Sequence, residues 1–256
     1  MSNNILELFK LDGKTAIVTG ANRGLGQSIA LALAGAGADV AAVSLHSPDD
    51  TVAQIRALGR RAVAISADLG DRAAIPAVFA EIKKHFPAPG ILVNNAGIIR
   101  RADFLDFTAK DWDDVLGVNL DAAFFLSQLF VKDVLSRAAK GKIIHIASML
   151  SFQGGIRVPS YTASKSALAG LTRLMANELA AKGINTNAIA PGYMATDNTA
   201  ALRADAARSQ AILERIPAGR WGDPSDLNGA AVFLASAASD YMNGHILAVD
   251  GGWLAR

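Results

Sequence analysis

The chain has 256 residues, of which 51% are hydrophobic and 19% are charged, a composition that excludes a disordered protein and suits a sheet buried on both faces. The formal net charge is +2 and the charges are scattered, so neither nucleic acid nor an anionic membrane is an expected partner. The absence of cysteine excludes disulfides and cysteine nucleophiles, and the four histidines are too widely spaced to suggest a metal site.

The first ten residues, Met1 to Lys10, include Glu7 and lack the basic start and long apolar core of a targeting signal. No apolar run is expected to span a membrane. We therefore expect a cytoplasmic protein that acts on a small, soluble molecule.

Short runs rich in Val, Ile and Ala alternate along the chain with longer segments of helical period. The predicted strands are Thr15 to Thr19, Asp39 to Val43, Ala62 to Ser66, Ile91 to Asn94, Lys142 to Ala147, Ile184 to Ile189 and Ile246 to Val249. The predicted helices are Leu25 to Ala34, Asp50 to Ala57, Asp71 to His85, Ala109 to Ala138, Tyr161 to Lys182, Ala204 to Arg215 and Ser225 to Ala235.

This alternation predicts one α/β domain over residues 1–256, a doubly wound, Rossmann-type sandwich with a seven-stranded parallel sheet and helices on both faces. A ligand would bind beyond the carboxyl ends of the strands. The long connection from Pro191 to Leu202 is expected to be irregular and to act as a lid.

The first predicted strand runs into a glycine-rich turn, Thr19-Gly20-Ala21-Asn22-Arg23-Gly24-Leu25-Gly26, that opens a helix. Glycines let main chain approach a ligand closely, and the helix N-terminus favours a pyrophosphate. A tight turn in any α/β protein looks similar, so the pattern alone leaves that alternative open. Two further strand ends, Asp68-Leu69 and Asn94-Asn95-Ala96-Gly97, would line the same crevice, and together the three segments predict a dinucleotide trough.

A second group of residues suggests proton transfer. Tyr161 and Lys165 are four positions apart and share one helix face, where an ammonium would stabilise phenolate and lower the pKa of the tyrosine. Ser148 follows the fifth strand and could donate a hydrogen bond to a substrate oxygen. Asn119, a poor helix former within a long helix, suggests a local kink. Each residue alone is more often structural, whereas the combination favours catalysis.

These motifs, together with Pro191-Gly192, resemble the short-chain dehydrogenase/reductase family over essentially the whole chain. The resemblance implies that Tyr161 is the acid/base, that Lys165 lowers its pKa and holds the nicotinamide ribose, and that Ser148 orients the substrate. It also implies a water relay at Asn119 and a homotetramer. The predicted cofactor contacts are Gly20, Asn22, Arg23, Gly24, Leu25, Gly26, Ser44, Asp68, Leu69, Asn95, Ala96, Gly97, Tyr161, Lys165, Pro191, Gly192, Thr196 and the main chain at Met194.

Residues 98–101, 148–161, 215–222 and 249–256 are similar to a narrower group, bacterial dehydrogenases of deoxy sugar acids that act in uronate and pectin breakdown. The substrate would be of the 2-deoxy-D-gluconate or 2-dehydro-3-deoxy-D-gluconate type. Its carboxylate should meet an arginine, for which Arg101 and Arg157 are candidates, although exposed arginines or subunit contacts explain both equally well.

The residues that usually select between NAD and NADP leave both cofactors open. Ser44 occupies the position where an acidic residue usually selects NAD, and Arg23 could meet the 2′-phosphate of NADP or lie outside the trough. Resemblance to the sugar-acid enzymes favours NAD, with NADP possible. Two alternatives remain: another alcohol dehydrogenase or ketoreductase, acting on a polyol or an acyl thioester, and a regulator that binds the cofactor without catalysis.

Overall fold

The seven predicted strands all form in the computed structural model, which describes residues 4–256. They make one parallel sheet in the order β3-β2-β1-β4-β5-β6-β7. The strands are β1 Thr15–Thr19, β2 Asp39–Ser44, β3 Ala62–Ser66, β4 Ile91–Asn94, β5 Gly141–Ile146, β6 Ile184–Pro191 and β7 Ile246–Val249. The predicted doubly wound sheet is therefore confirmed. The N-terminal segment for which the sequence predicts no targeting signal lies partly outside the described residues.

Helices cover both faces of the sheet. They are α1 Gly24–Gly35, α2 Asp49–Ala57, α3 Ile75–His85, α4 Ala109–Leu116, α5 Ala122–Ser136, α6 Pro159–Leu179, α7 Ala200–Ala204, α8 Ala206–Arg215 and α9 Asn228–Ala235. Alternate residues of each strand point to opposite faces, so Val18 packs beneath α1, α2 and α9 while Ile17 packs beneath α3, α5 and α6. Both residues are fully buried. The near-continuous apolar strands of the sequence thus follow from burial on two sides.

The long helical segment after β4 is interrupted at the position that the sequence suggested. A π-helical turn, Gly117–Asp121, joins α4 to α5 and contains Asn119. Counted together across this turn, the helical residues Ala109–Ser136 are long and apolar enough to cross a membrane by length and composition, which the sequence alone did not lead us to expect. Here their apolar side chains Leu126 and Phe130 are buried against the sheet, and core helices of soluble proteins pass the same test.

The connection from Pro191 to Leu202 is less irregular than predicted. It extends β6 by its first residue and contains a 3-10 turn, Asp197–Thr199, that leads directly into α7. The helix predicted from Ala204 instead begins at Ala206, because Asp205 caps α8 by accepting a hydrogen bond from the Arg208 amide at 3.0 Å. The connection from Pro191 to Leu202 therefore contains the 3-10 turn and most of α7, whereas α8 lies beyond it.

Candidate active site

A cleft of about 310 Å³ opens at the carboxyl ends of the central strands. It lies where the strand order reverses, since β1 is flanked by β2 on one side and β4 on the other, and such a switch point is the usual ligand site of a doubly wound sheet. The predicted residues that line the cleft are Gly20, Asn22, Arg23, Gly24, Leu25, Gly26, Ser44, Asp68, Leu69, Asn95, Ala96, Gly97, Tyr161, Lys165 and Thr196. We call this space the strand-end cleft.

The glycine turn forms one wall of the strand-end cleft and leaves no room for a side chain at Gly20 or Gly26. Gly20 has a φ of +66°, a left-handed conformation that favours glycine. A Cβ atom on Gly26 would lie 2.1 Å from the carbonyl oxygen of Gly20 and 2.4 Å from Nδ2 of Asn95. The turn therefore exposes bare main chain at the N-terminus of α1, a surface suited to a pyrophosphate.

Hydrogen bonds tie this turn to the end of β4. Nδ2 of Asn95 donates to the carbonyl oxygen of Thr19 at 2.9 Å. Oγ1 of Thr19 in turn accepts from the amides of Asn95 at 3.0 Å and Ala96 at 2.9 Å. These three bonds explain why two motifs that are 75 residues apart in sequence form one rigid wall.

At the β2 end of the strand-end cleft the polar groups are already paired. Oγ of Ser44 donates to Oδ1 of Asn22 at 2.8 Å, and Oδ1 of Asp68 accepts from the amide of Gly70 at 2.8 Å. Nη1 of Arg23 forms an ion pair at 2.8 Å with Oδ2 of Asp197, and both side chains are 70% exposed. Sequence reasoning missed Asp197, because the pairing joins the glycine turn to a segment more than 170 positions later.

Further lining residues were also missed. They carry no motif of their own and adjoin predicted residues along the chain: Leu45, His46, Ala67, Ile98, Val118, Ile146 and Asn198. Proximity in sequence to a strand end was the available signal for most of them.

Lys165 lies at the base of the strand-end cleft and is 4% exposed. Its Nζ donates to the carbonyl oxygen of Ile146 at 2.6 Å and lies 5.5 Å from the centre of the Tyr161 ring. Burial lowers the pKa of this lysine to about 8, so the side chain is largely cationic at pH 7.

Tyr161 occupies the first turn of α6, and its side chain is partly buried. Burial raises the pKa of the phenol, while a hydrogen bond with Ser148 and the positive charge of Arg101 act in the opposite direction. The loss of hydration outweighs these two effects, so the pKa of Tyr161 lies above its ordinary value.

Ser148 ends the loop segment that follows β5 and is 8% exposed. Its Oγ accepts from the amide of Leu150 at 3.2 Å and is within hydrogen-bonding reach of the Tyr161 hydroxyl. The structure therefore brings together the three polar groups, on two separate elements, that the sequence selected for proton transfer.

Asn119 does not line the strand-end cleft and is 2% exposed. Its Oδ1 accepts from the amide of Ile98 at 2.8 Å, and its Nδ2 donates to the carbonyl oxygen of Ile98 at 3.0 Å and to Oγ of Ser164 at 3.3 Å. The side chain thus fixes the loop after β4 to the π-helical turn and to α6.

The two arginines proposed for a substrate carboxylate differ in their surroundings. Arg157 forms an ion pair at 2.8 Å with Asp103, which neutralises its charge. Arg101 has no carboxylate partner among residues 4–256; its Nη2 donates to the carbonyl oxygen of Asn198 at 3.0 Å. Its positive charge favours the phenolate of Tyr161, although burial outweighs that effect and leaves the pKa of the phenol raised.

Pro191, Gly192 and Met194, which the sequence also predicts as cofactor contacts, do not line the strand-end cleft. Gly192 and Met194 instead line a smaller cavity of about 190 Å³ at the ends of β6 and β7. Met194 is 4% exposed, and its carbonyl oxygen accepts from the Thr196 amide at 2.9 Å and from Oγ1 of Thr199 at 2.6 Å. Its carbonyl oxygen is therefore engaged within its own segment, while its main chain forms a parallel bridge with Gly222.

Comparison with known proteins agrees with this architecture. The family profile described as Enoyl-(Acyl carrier protein) reductase matches residues 20–254. The chain belongs to the short-chain dehydrogenase/reductase family and is an oxidoreductase of that family.

Within the family, the chain is similar to sugar-acid enzymes. It is 60% identical over 252 residues to 2-dehydro-3-deoxy-D-gluconate 5-dehydrogenase of Escherichia coli, an alignment that covers 98% of this chain and 100% of that protein. An Agrobacterium tumefaciens structure with bound NADP, provisionally named a 2-deoxy-D-gluconate 3-dehydrogenase, is 59% identical with a TM-score of 0.92 and covers 97% of this chain and 99% of its own.

A more distant solved relative holds a second ligand. The gluconate 5-dehydrogenase of Burkholderia cenocepacia, in complex with NADP and tartrate, is 39% identical with a TM-score of 0.93. The match covers 99% of this chain and 100% of that one.

Proposed function

We propose that this protein is a nicotinamide-dependent dehydrogenase that interconverts a secondary alcohol and a ketone on a deoxy sugar acid of the 2-dehydro-3-deoxy-D-gluconate or 2-deoxy-D-gluconate type. The observation that carries the proposal is that Tyr161 and Lys165 line a cleft whose other wall is the glycine turn, with Ser148 hydrogen-bonded to Tyr161. The names of the Escherichia coli and Agrobacterium tumefaciens relatives support the substrate class.

The strand-end cleft fits a dinucleotide because the close packing at Gly20 and Gly26 leaves main-chain amides as the surface for its phosphates. When bound, a nicotinamide cofactor supplies the hydride acceptor or donor. The protein's own part is proton transfer, for which we assign Tyr161 as the acid/base. Ser148 donates a hydrogen bond to the substrate oxygen, where charge develops.

Lys165 supports this chemistry through its charge. With a pKa of about 8 it remains an ammonium at pH 7, and its position over the Tyr161 ring lets it stabilise the phenolate as that ion forms. We propose that it also contacts the nicotinamide ribose. Asn119 keeps the neighbouring main chain in place for a water relay, a role that its bonds to Ile98 and Ser164 support.

Arg101 is the better candidate for the substrate carboxylate. It is exposed, has no acidic partner among residues 4–256 and is electrostatically coupled to Tyr161. A carboxylate that binds Arg101 would therefore lie near the reacting centre. Arg157 is the weaker candidate, since binding there would first require separation from Asp103.

We further propose that NAD is the preferred cofactor. Asp197 already neutralises Arg23, so the 2′-phosphate of NADP would have to displace a carboxylate to reach that guanidinium. NADP is the second candidate, because relatives of 59% and 39% identity hold it and because no acidic side chain stands at Ser44 to repel its phosphate.

We also propose a cytoplasmic homotetramer that acts in uronate and pectin breakdown. Support for association comes from large apolar side chains on the outer faces of α4, α5 and α6: Trp112 and Phe124 are each 39% exposed and Leu174 is 50% exposed. Large apolar side chains exposed together on a surface mark contacts between proteins. Light scattering of the purified protein measures the oligomeric state.

The test of the proposed function is the initial rate of cofactor reduction with 2-deoxy-D-gluconate, D-gluconate and a simple polyol, each with NAD and with NADP. We expect turnover with the deoxy sugar acid, and a KM for the acid that Arg101→Ala raises at least tenfold, since charge-assisted pairs contribute about 1.5 to 3 kcal/mol. Arg157→Ala is the matched control. A better rate with the polyol, or an equal effect of the two substitutions, would overturn this substrate assignment.

A further inference from the structure

One residue outside the predicted set bonds to two of the candidate catalytic segments. Ser151 lies in the 3-10 turn Met149–Ser151 that follows Ser148. Its amide donates to the carbonyl oxygen of Ser148 at 2.9 Å, and its Oγ donates to the carbonyl oxygen of Lys165 at 2.7 Å. The first bond lies within the turn, whereas the second crosses from the turn to α6.

We propose that Ser151 is a positioning residue that sets the distance between Ser148 on the loop after β5 and the turn of α6 that carries Tyr161 and Lys165. This proposal rests on the proposed function of those three residues. Ser151 touches neither the strand-end cleft nor a reacting atom, so it acts through the main chain of its neighbours.

Ser148 and Lys165 are on separate elements, which side chains of the site already join at two points. The Ser148 hydroxyl hydrogen-bonds with Tyr161 on α6, and Nζ of Lys165 donates to the carbonyl oxygen of Ile146 at the end of β5. The Ser151 hydroxyl adds a bond that ends on the main chain of Lys165 itself and so connects the turn after Ser148 to the backbone of a candidate catalytic residue. Displacement of a catalytic group by about 1 Å can cost on the order of 100-fold in rate.

A second serine provides a matched control. Oγ of Ser166, on α6, donates to the carbonyl oxygen of Leu150 at 3.1 Å. This bond joins the same turn to the same helix but ends on neither Ser148 nor Lys165. Ser166→Ala therefore removes the same hydroxyl group and one similar bond. It shows how much kcat falls when a bond between the turn and α6 is lost that does not end on a candidate catalytic residue.

The experiment compares Ser151→Ala, Ser151→Thr and Ser166→Ala. For the oxidation of 2-deoxy-D-gluconate we expect kcat to fall about tenfold in Ser151→Ala with little change in KM for the cofactor, to recover in Ser151→Thr, and to stay near normal in Ser166→Ala. Unchanged kcat in Ser151→Ala, or an equal loss in Ser166→Ala at equal thermal stability, would overturn the positioning role.

A measurement without turnover separates this proposal from the proposed function. NMR titration of ¹³C-labelled lysines follows the ammonium of Lys165, whose pKa burial places at about 8 in the intact site. We expect that value to move toward the ordinary lysine value in Ser151→Ala and to stay in place in Ser166→Ala. A titration unaltered by Ser151→Ala contradicts the positioning role, even if no sugar acid is turned over and the proposed function has failed.

Discussion

Asp197→Asn should improve the use of NADP and leave the use of NAD unchanged. The side chain keeps its shape but loses the charge that pairs with Arg23 at 2.8 Å. Because both partners are 70% exposed, the pair contributes only about 0.2 to 1 kcal/mol. NADP must overcome that amount to bring its 2′-phosphate to Arg23, so removing the charge should raise kcat/KM for NADP by about 1.4- to 5-fold.

The assay is the ratio of kcat/KM for NADP to that for NAD at low ionic strength. Asp103→Asn is the matched control, since Asp103 pairs with Arg157 at the same distance and with similar exposure, away from the glycine turn. The gain should vanish in 1 M salt, where charges more than about 3 Å apart are screened. An unchanged ratio in Asp197→Asn, or an equal gain for both cofactors, would refute competition between Asp197 and the phosphate.

Three other perturbations probe the site and the core. Tyr161→Phe should fold normally and lose roughly 100-fold or more in turnover, measured by initial rates beside a thermal melt. Gly26→Ala should abolish cofactor binding in a fluorescence titration, because its Cβ would lie 2.1 Å from the carbonyl oxygen of Gly20. Burial lowers the pKa of His145 from 6.5 to about 3, so the unfolded chain binds the extra proton below pH 6.5. The free energy of unfolding should therefore fall by up to about 3 kcal/mol between pH 6.5 and 4, a slope that urea melts of His145→Asn should show reduced.

The sequence was sufficient for the sheet because burial on both faces forces apolar strands, and β1, β3, β4 and β7 begin and end at the predicted residues. The sequence also predicted the glycine turn, because close packing at Gly20 and Gly26 tolerates no side chain there. Local chemistry decides both features, so local patterns predict them.

Other features depend on contacts between distant parts of the chain. The neutralisation of Arg23 by Asp197 and of Arg157 by Asp103 is set by how loops meet, which no spacing encodes. Met194 follows the Pro191-Gly192 motif and is predicted to contact the cofactor through its main chain. Its side chain is buried in the core beside α1 and α9. Because Asn119 is a poor helix former, the sequence predicted an irregularity in the helix at this position. It did not predict that the irregularity would be a π-helical turn.

The pKa of Tyr161 also depends on contacts between distant parts of the chain. The spacing of four places an ammonium beside the phenol, but the hydrogen bond of Lys165 goes to Ile146, and burial dominates the pKa of the tyrosine. The positive charge of Arg101, the candidate carboxylate site, acts in the opposite direction but does not outweigh burial. A bound sugar acid would neutralise that charge and thereby raise the pKa of Tyr161, which favours the protonated phenol. The protonated phenol is the acid that a ketone requires, and burial already favours this form before any carboxylate binds at Arg101.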